Sequence, residues 1–267
     1  MQRWLDACVV APDAPPAGGA AAADDVDAQS LDRNSAIEAR LPPGAAGAVL
    51  YGPSAGRRRA ELSEMSPTLQ WHYADTLAAL PAVTQQTALS GAADVLHVCL
   101  DLAELEALLK QPPASAALSA AAARPRPIVR LALPPGSRLA VWVRRRARGL
   151  PDGCFWLDPF EHGPKPGWQA HVKLAEQPNV WVTTLGLDPF VGTLWTREAA
   201  QEALHFLIGE VGAAKLLYAS GSSWDQWRRD AGRPFREWLA ANPSLDAKEV
   251  EMVLLKNAAG LLAPPLR

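Results

Sequence analysis

The sequence is short of several things, and each shortage removes a class of function. No window of the 267 residues reaches the roughly 18 apolar residues that a bilayer-spanning helix needs. Cysteine is scarce: Cys8, Cys99 and Cys154 are odd in number and lack ligand-like spacing, which argues against a disulfide framework or a zinc finger. No charge of one sign dominates: 26 basic residues face 28 acidic ones, and a net charge of −2 gives no electrostatic case for nucleic acid or an anionic membrane. The opening MQRWLDACVV lacks the apolar core and cleavage site of a secretory signal, so a reducing compartment, the cytoplasm, is expected. Glycine-rich phosphate cradles are missing too. Arg144, Arg145, Arg146 and Arg148 stand on a helix-compatible stretch without one and read as a solvated face, and SGSS at 220–223 lacks the glycine spacing of a nucleophile elbow.

What the chain does have is alternation. Eight apolar runs rich in β-branched and aromatic residues recur at fairly even spacing: 4–10, 48–51, 69–74, 94–100, 127–133, 153–158, 179–184 and 214–220. Helix-compatible segments lie between them, among them 102–110, 137–150, 167–177 and 196–212. Strands alternating with amphipathic helices build βαβ units and a parallel sheet, and eight units in this length have the size of a (β/α)₈ barrel. A single TIM-like barrel domain over 1–267, with some distortion, is therefore expected. Residues 11–30 (APDAPPAGGAAAADDVDAQS) lack periodicity and read as a flexible loop, and 111–127 is a second low-complexity stretch. The tail 243–262 carries a helix N-cap at Ser244 or Asp246 and keeps helical spacing through Val250, Val253, Leu254, Ala258 and Leu261.

Five motifs in chain order resemble the amidohydrolase-2 family of metal-dependent hydrolases and decarboxylases. WLDACVV (4–10) is similar to the family's opening Asp-Ala-His-x-His strand. RARGLPDGCFWLDPFEHG (146–163) resembles the passage that ends strand six in Leu-Asp-His, and LAEQPNVWVTTLGL (174–187) resembles strand seven. AKLLYASGSSW (214–224) is similar to strand eight, and SLDAKEVEMVLLKNAAGLL (244–262) to the closing helix. The resemblance is thin between residues 11 and 93.

The resemblance implies a metal site at the carboxyl ends of the strands, but the matching positions carry other residues. The two strand-one histidines correspond to Cys8 and Val10, the strand-five histidine to Arg130 or Leu131, the strand-six position to Pro159, and the strand-eight aspartate to Gly221. Zinc and similar ions need about three or four N, O or S donors converging on one point. Val10, Leu131, Pro159 and Gly221 offer no side-chain donor and Arg130 is a cation. The expectation is a degenerate site with no metal cofactor. Cys8, His97 and Cys154 are the residues from which a replacement soft-metal site would have to be built, against the plainer reading of buried cysteines.

Three residues after strand six retain acid–base character: Asp158, Glu161 and His162 are the candidate catalytic residues, although a solvated Pro/Gly-rich loop is the plainer reading of them and Asp158 also reads as a structural acceptor. Arg130, a charge inside PIVRLAL, is the candidate anchor for a carboxylate, or half of a structural ion pair. Trp156, Trp181 and Trp224 complete the ligand-binding set, on the expectation that the tryptophans, with Trp168 and Trp195, gather toward one end of the barrel, with a subunit interface as the alternative and core packing as the plainer reading of Trp156 and Trp181. His72, His171 and His205 read as structural. The leading expectation is a catalytically silent relative that binds a small carboxylated ligand or a partner subunit. A metal-independent hydrolase of lactones is the alternative, and an oligomeric scaffold the second. Neither nucleic acid nor membrane is an expected partner.

Overall fold

The computed structural model describes residues 3–10, 42–51, 59, 62–64, 70–77, 95–98, 128–131, 137–149, 151, 153–161, 163–164, 166–190 and 194–263; at positions 10, 71, 73, 75–77, 96–98, 137, 224 and 225, which include Val10, His97 and Trp224, it describes the backbone alone. The expected loop 11–30, the helix 102–110, the stretch 111–127, Cys99 and His162 lie outside the described residues.

Eight segments form parallel strands where the apolar runs stand: β1 (Trp4–Val10), β2 (Ala45–Tyr51), β3 (Gln70–Leu77), β4 (Val95–Val98), β5 (Ile128–Leu131), β6 (Cys154–Leu157), β7 (Val180–Thr183) and β8 (Leu216–Leu217). A two-residue piece, β9 (Ser222–Ser223), pairs with β1, while β8 pairs with β7. The sheet order is β8-β7-β6-β5-β4-β3-β2-β1-β9. Because β8 and β9 are the two ends of one short stretch, residues 216–223 bridge the first and last strands. Backbone bonds complete the seam: Ala7 N–H donates to Tyr218 O (2.9 Å) and Gly221 N–H to Cys8 O (3.1 Å). The parallel sheet thus closes into a barrel, with no free edge along this seam.

The period of two along each strand sorts the core into two clusters. Ile128, Cys154, Trp156 and Leu217 join an inner cluster, and their neighbours Val129, Phe155, Leu157 and Leu216 join an outer one beneath the helices. On the outside, the helix Ser137–Gly149 buries Leu139, Ala140, Val143 and Ala147 and leaves Arg144, Arg145, Arg146 and Arg148 exposed, as the charge pattern suggests. The helix Arg197–Val211 starts at Thr196, whose hydroxyl accepts from Ala199 N–H (3.2 Å), and stops at Gly212, whose φ of 74° suits only glycine well. The tail begins at Asp246, which forms a reciprocal capping box with Glu249. It runs through a π turn at Met252–Lys256 into Asn257–Leu262.

That last segment seats Ala258 and Leu262 on the inner cluster. Asn257 Nδ2 donates to the carbonyls of Ala213 and Leu216, where β8 begins, so the tail seals the amino-terminal end of the barrel. The opposite end, at the carboxyl termini of the strands, is left for a site. No described helix is long and apolar enough to cross a membrane.

Candidate functional site at the carboxyl end of the barrel

Arg130 faces inward from β5, since Val129 and Leu131 belong to the outer cluster. This settles which of Arg130 and Leu131 is presented to the barrel interior. The Arg130 side chain is 1% exposed, and its Nε donates to Asp158 Oδ2 at 2.7 Å. Asp158, the first residue past β6, is equally buried, and its other oxygen accepts from the Thr183 hydroxyl at the end of β7. Tyr51, the last residue of β2, lies under the guanidinium, 4.5 Å from ring centroid to Cζ. Burial works against the charge on Arg130, but Asp158, then Cys8 and Tyr51, outweigh it and hold the group well above its ordinary value. Four strands therefore fix one guanidinium. Its Nη1, cut off from solvent, makes no hydrogen bond among the described residues.

Cys8 faces the same space. β1 carries register shifts between Trp4 and Leu5 and between Asp6 and Val9, and this irregularity lets both Ala7 and Cys8 join the inner cluster. Burial pushes the Cys8 thiol up to about 11, with Arg130 pulling the other way, so the neutral thiol is the resident form at pH 7. Tyr51 is pushed up by the same burial.

Glu161 sits three residues beyond Asp158, half-buried, with Oε2 cut off from solvent and without a hydrogen bond among the described residues. Burial raises its carboxyl above the ordinary range, the Asp158 charge adds to this, and Arg130 opposes it. A Cβ placed on Gly186, whose φ is 81°, would stand 2.6 Å from Glu161 Cα and from Phe160 O. The turn after β7 thus abuts the Glu161 backbone with room only for glycine. Of the sequence candidates, the structure brings Arg130, Asp158 and Glu161 into one electrostatic neighbourhood.

The tryptophans distribute differently from the expectation of one gathering. Trp156 is fully buried in the inner cluster, one inward position below Asp158, with Nε1 donating to Cys154 Sγ (3.0 Å). Trp181 lies under the Lys215 ammonium at 4.3 Å, and that lysine donates to the carbonyls of Gln177, Pro178 and Val180. Those carbonyls flank the start of β7, so Trp181 furnishes the sealed end of the barrel and not its mouth. The cause is position along the strand: residue 181 is second in β7, whereas Thr183, two further on, reaches Asp158. Trp168 and Trp195 pack edge-on with Phe160 and Phe206 in the outer layer. His171 is buried in the short helix Trp168–Val172, and His205 contacts Ser244 Oγ at 3.2 Å.

Sequence reasoning passed over Asp6. It is fully buried and accepts from Cys8 N–H (3.0 Å), Ser220 N–H (2.9 Å) and Ser220 Oγ. Burial lifts its carboxyl to about 6, against the lowering effect of these bonds and of Arg236. An acid inside WLDACVV is the same signal as an arginine inside PIVRLAL, and it was there to be read. Thr183 and Tyr51 carry no such signal, because each suits an ordinary strand.

The positions matched to the metal ligands carry few side-chain donors among the described residues. Leu131 faces outward, while Cys8 and Arg130 face the interior, where Arg130 brings a fixed positive charge. Gly221 has a φ of 65°, and a Cβ there would meet Leu185 Cδ1 at 2.5 Å, so packing opposes an acid at this position. Among the described residues no group of three His, Cys, Asp or Glu side chains could hold a metal ion.

Residues 160–263 match the model of a protein family described as Amidohydrolase. Solved structures match over nearly the whole chain. The probable 2-pyrone-4,6-dicarboxylic acid hydrolase of Acinetobacter baumannii, solved with citric acid bound, is 16% identical, with 98% of this chain and 99% of that one covered and a TM-score of 0.56. An amidohydrolase from Burkholderia multivorans with bound HEPES is 15% identical over 98% and 100% of the two chains, at a TM-score of 0.59. The 2,6-dihydroxybenzoate decarboxylase from Rhizobium is 14% identical over 98% and 99%, at 0.52. At such identities the likeness establishes the TIM-barrel fold alone. No curated protein sequence matches the chain.

Proposed function

From the match of residues 160–263 to the amidohydrolase family model, we propose that this barrel binds a small carboxylated molecule at its carboxyl-terminal end, with Arg130 as the anchor and without a divalent metal. The observation that carries the reading is the free Nη1 of Arg130. A buried guanidinium with an unused donor is costly to maintain, and a ligand oxygen is the partner that repays the arrangement. Asp158 and Thr183 hold the guanidinium in one orientation, so its donor is aimed before the ligand arrives. Two of the structurally similar proteins support the ligand class: one was solved with citric acid and another is named for 2,6-dihydroxybenzoate.

Calorimetric titration with 2,6-dihydroxybenzoate and with citrate tests the reading. Wild type should bind at least one of them, and Arg130→Met should weaken that binding by about 30-fold, the worth of one hydrogen bond to a charged group. Equal affinity in the variant would overturn Arg130 as anchor. Elemental analysis of protein grown with zinc and manganese covers the other half of the reading, and a near-stoichiometric metal would overturn it. A second reading, metal-independent hydrolysis of a lactone, is favoured by one observation: Glu161 is a half-buried carboxyl with a raised pKa beside a carboxylate anchor, as a general acid–base group requires. Lactone turnover lost in Glu161→Gln with binding retained is the expected signature of that reading.

A further inference from the structure

We propose that a cleft on the outside of the barrel, at its amino-terminal end, binds a free α-amino acid with an apolar side chain. The cleft encloses about 270 Å³ between the starts of β1 and β2, the helix Arg233–Ala240 and the π turn of the tail. That volume is at the small end for ligand pockets and has room for one amino acid. None of its lining residues belongs to the inner cluster or to the Arg130 site, so this cleft and the barrel mouth are separate. Its floor is carbon. Trp4 and Leu254 are buried there, and Trp4 spends its indole N–H on Pro43 O (3.1 Å). Ala240 stands exposed at the rim, with nothing beyond Cβ to obstruct entry.

The rest of the wall is charged and carries both signs equally, Arg233 and Arg236 against Asp230 and Glu237. Arg236 is structural: it is 7% exposed, lies 3.8 Å over the Trp4 ring, and gives Nη1 to Tyr218 and Nη2 to Asp230. It fixes Asp230, whose left-handed backbone (φ 60°) few side chains besides aspartate and asparagine accept. Arg236 uses only Oδ1, and Oδ2 of this cleft-lining carboxylate makes no hydrogen bond among the described residues. Arg233 Nε and Glu237 Oε1 pair at 2.7 Å, but the two side chains are 66% and 65% exposed. An ion pair so open to water contributes little, and turning it toward a ligand costs little. The Nη groups of Arg233 and Oε2 of Glu237 make no hydrogen bond among the described residues. A ligand of one charge is repelled by half of this wall, whereas a zwitterion satisfies both halves. Its ammonium lies between Asp230 and Glu237, its carboxylate takes the forked donors of Arg233, and its side chain covers Trp4 and Leu254.

The experiment is calorimetry of the full chain with L-leucine, run with 2,6-dihydroxybenzoate in excess so that the Arg130 site is not counted. L-Leucinamide, which lacks the carboxylate, and 4-methylpentanoate, which lacks the ammonium, are the controls. L-Leucine should bind at millimolar concentration, and each control should bind at least about tenfold more weakly, the worth of one hydrogen bond to a charged group. Arg233→Met should abolish the preference for leucine over leucinamide, and Glu237→Gln should reduce the preference over 4-methylpentanoate. Both positions are exposed, and an unchanged unfolding midpoint shows that the variants fold. Preferences that survive intact in both variants would overturn the assignment to this cleft. Controls that bind as well as L-leucine would overturn the zwitterion, and no binding of L-leucine by the wild type would overturn the proposal outright.

Discussion

Two buried arginines in this molecule invite comparison. Arg130, inside the barrel, pairs with Asp158 and lies 4.5 Å over the ring of Tyr51. Arg236, outside it on the helix Arg233–Ala240, pairs with Asp230 and lies 3.8 Å over the ring of Trp4. The parts are the same: guanidinium, aspartate, aromatic face. They differ in how completely each is used. Arg236 gives Nη2 to Asp230 and Nη1 to the Tyr218 hydroxyl, and it packs the outer layer where β1 and β8 meet. Arg130 gives Nε to Asp158 and keeps Nη1 unspent. The first arrangement is finished by the fold. The second lacks a partner for one donor among the described residues, and the proposed binding role of Arg130 rests on that unfinished pairing.

The comparison can be broken from either side. The largest effect should come from Asp158→Asn, which leaves the Arg130 charge buried without its counter-ion and should cost about 3–5 kcal/mol in denaturant unfolding. Next is the pH dependence set by Asp6, whose carboxyl burial raises against the opposing charge of Arg236. Its folded value is raised from 3.8 to about 6, so the stability it favours is full below about pH 4 and is lost as pH rises through about 6. Unfolding midpoints should reveal a loss of about 3 kcal/mol across that window in wild type, and a flat profile in Asp6→Asn. Asp230→Asn keeps a residue that tolerates the left-handed φ of 60° and should cost about 1–2 kcal/mol, less than its inner counterpart, with carboxylate binding unchanged. Smallest are the two supporting hydroxyls. Thr183→Val and Tyr218→Phe should each cost about 1 kcal/mol, but only the first should also weaken ligand binding, because it loosens Asp158. If the inner and outer variants proved alike in binding, the distinction between the two arginines would fail.

The barrel was legible in the sequence because its signals repeat. Each apolar run from WLDACVV to AKLLYAS became a strand, and the capping box at Asp246 and the stop at Gly212 obey local rules that need no tertiary knowledge. The site was half legible. Arg130 announced itself as a charge inside an apolar strand and Asp158 only as one of three acid–base residues after strand six, and that they meet across 28 residues follows from strand pairing and not from local pattern. Thr183 and Tyr51 were invisible because nothing marks a threonine or tyrosine in a strand as unusual. Trp181 was read too generously: alternation gives the face of a strand, while depth along it depends on where the strand starts.

The seam between the first and last strands has a consequence for how the protein is made. Asp6 and Ser220 stand 214 positions apart, and the stretch that joins β7 to β1 is read out in the last quarter of the chain. Until it emerges, a growing polypeptide carries two unpaired strand edges, the state most open to pairing with a neighbour. Chains halted before residue 220 should therefore associate during synthesis, and solubility should return abruptly, not gradually, as the final segment is restored.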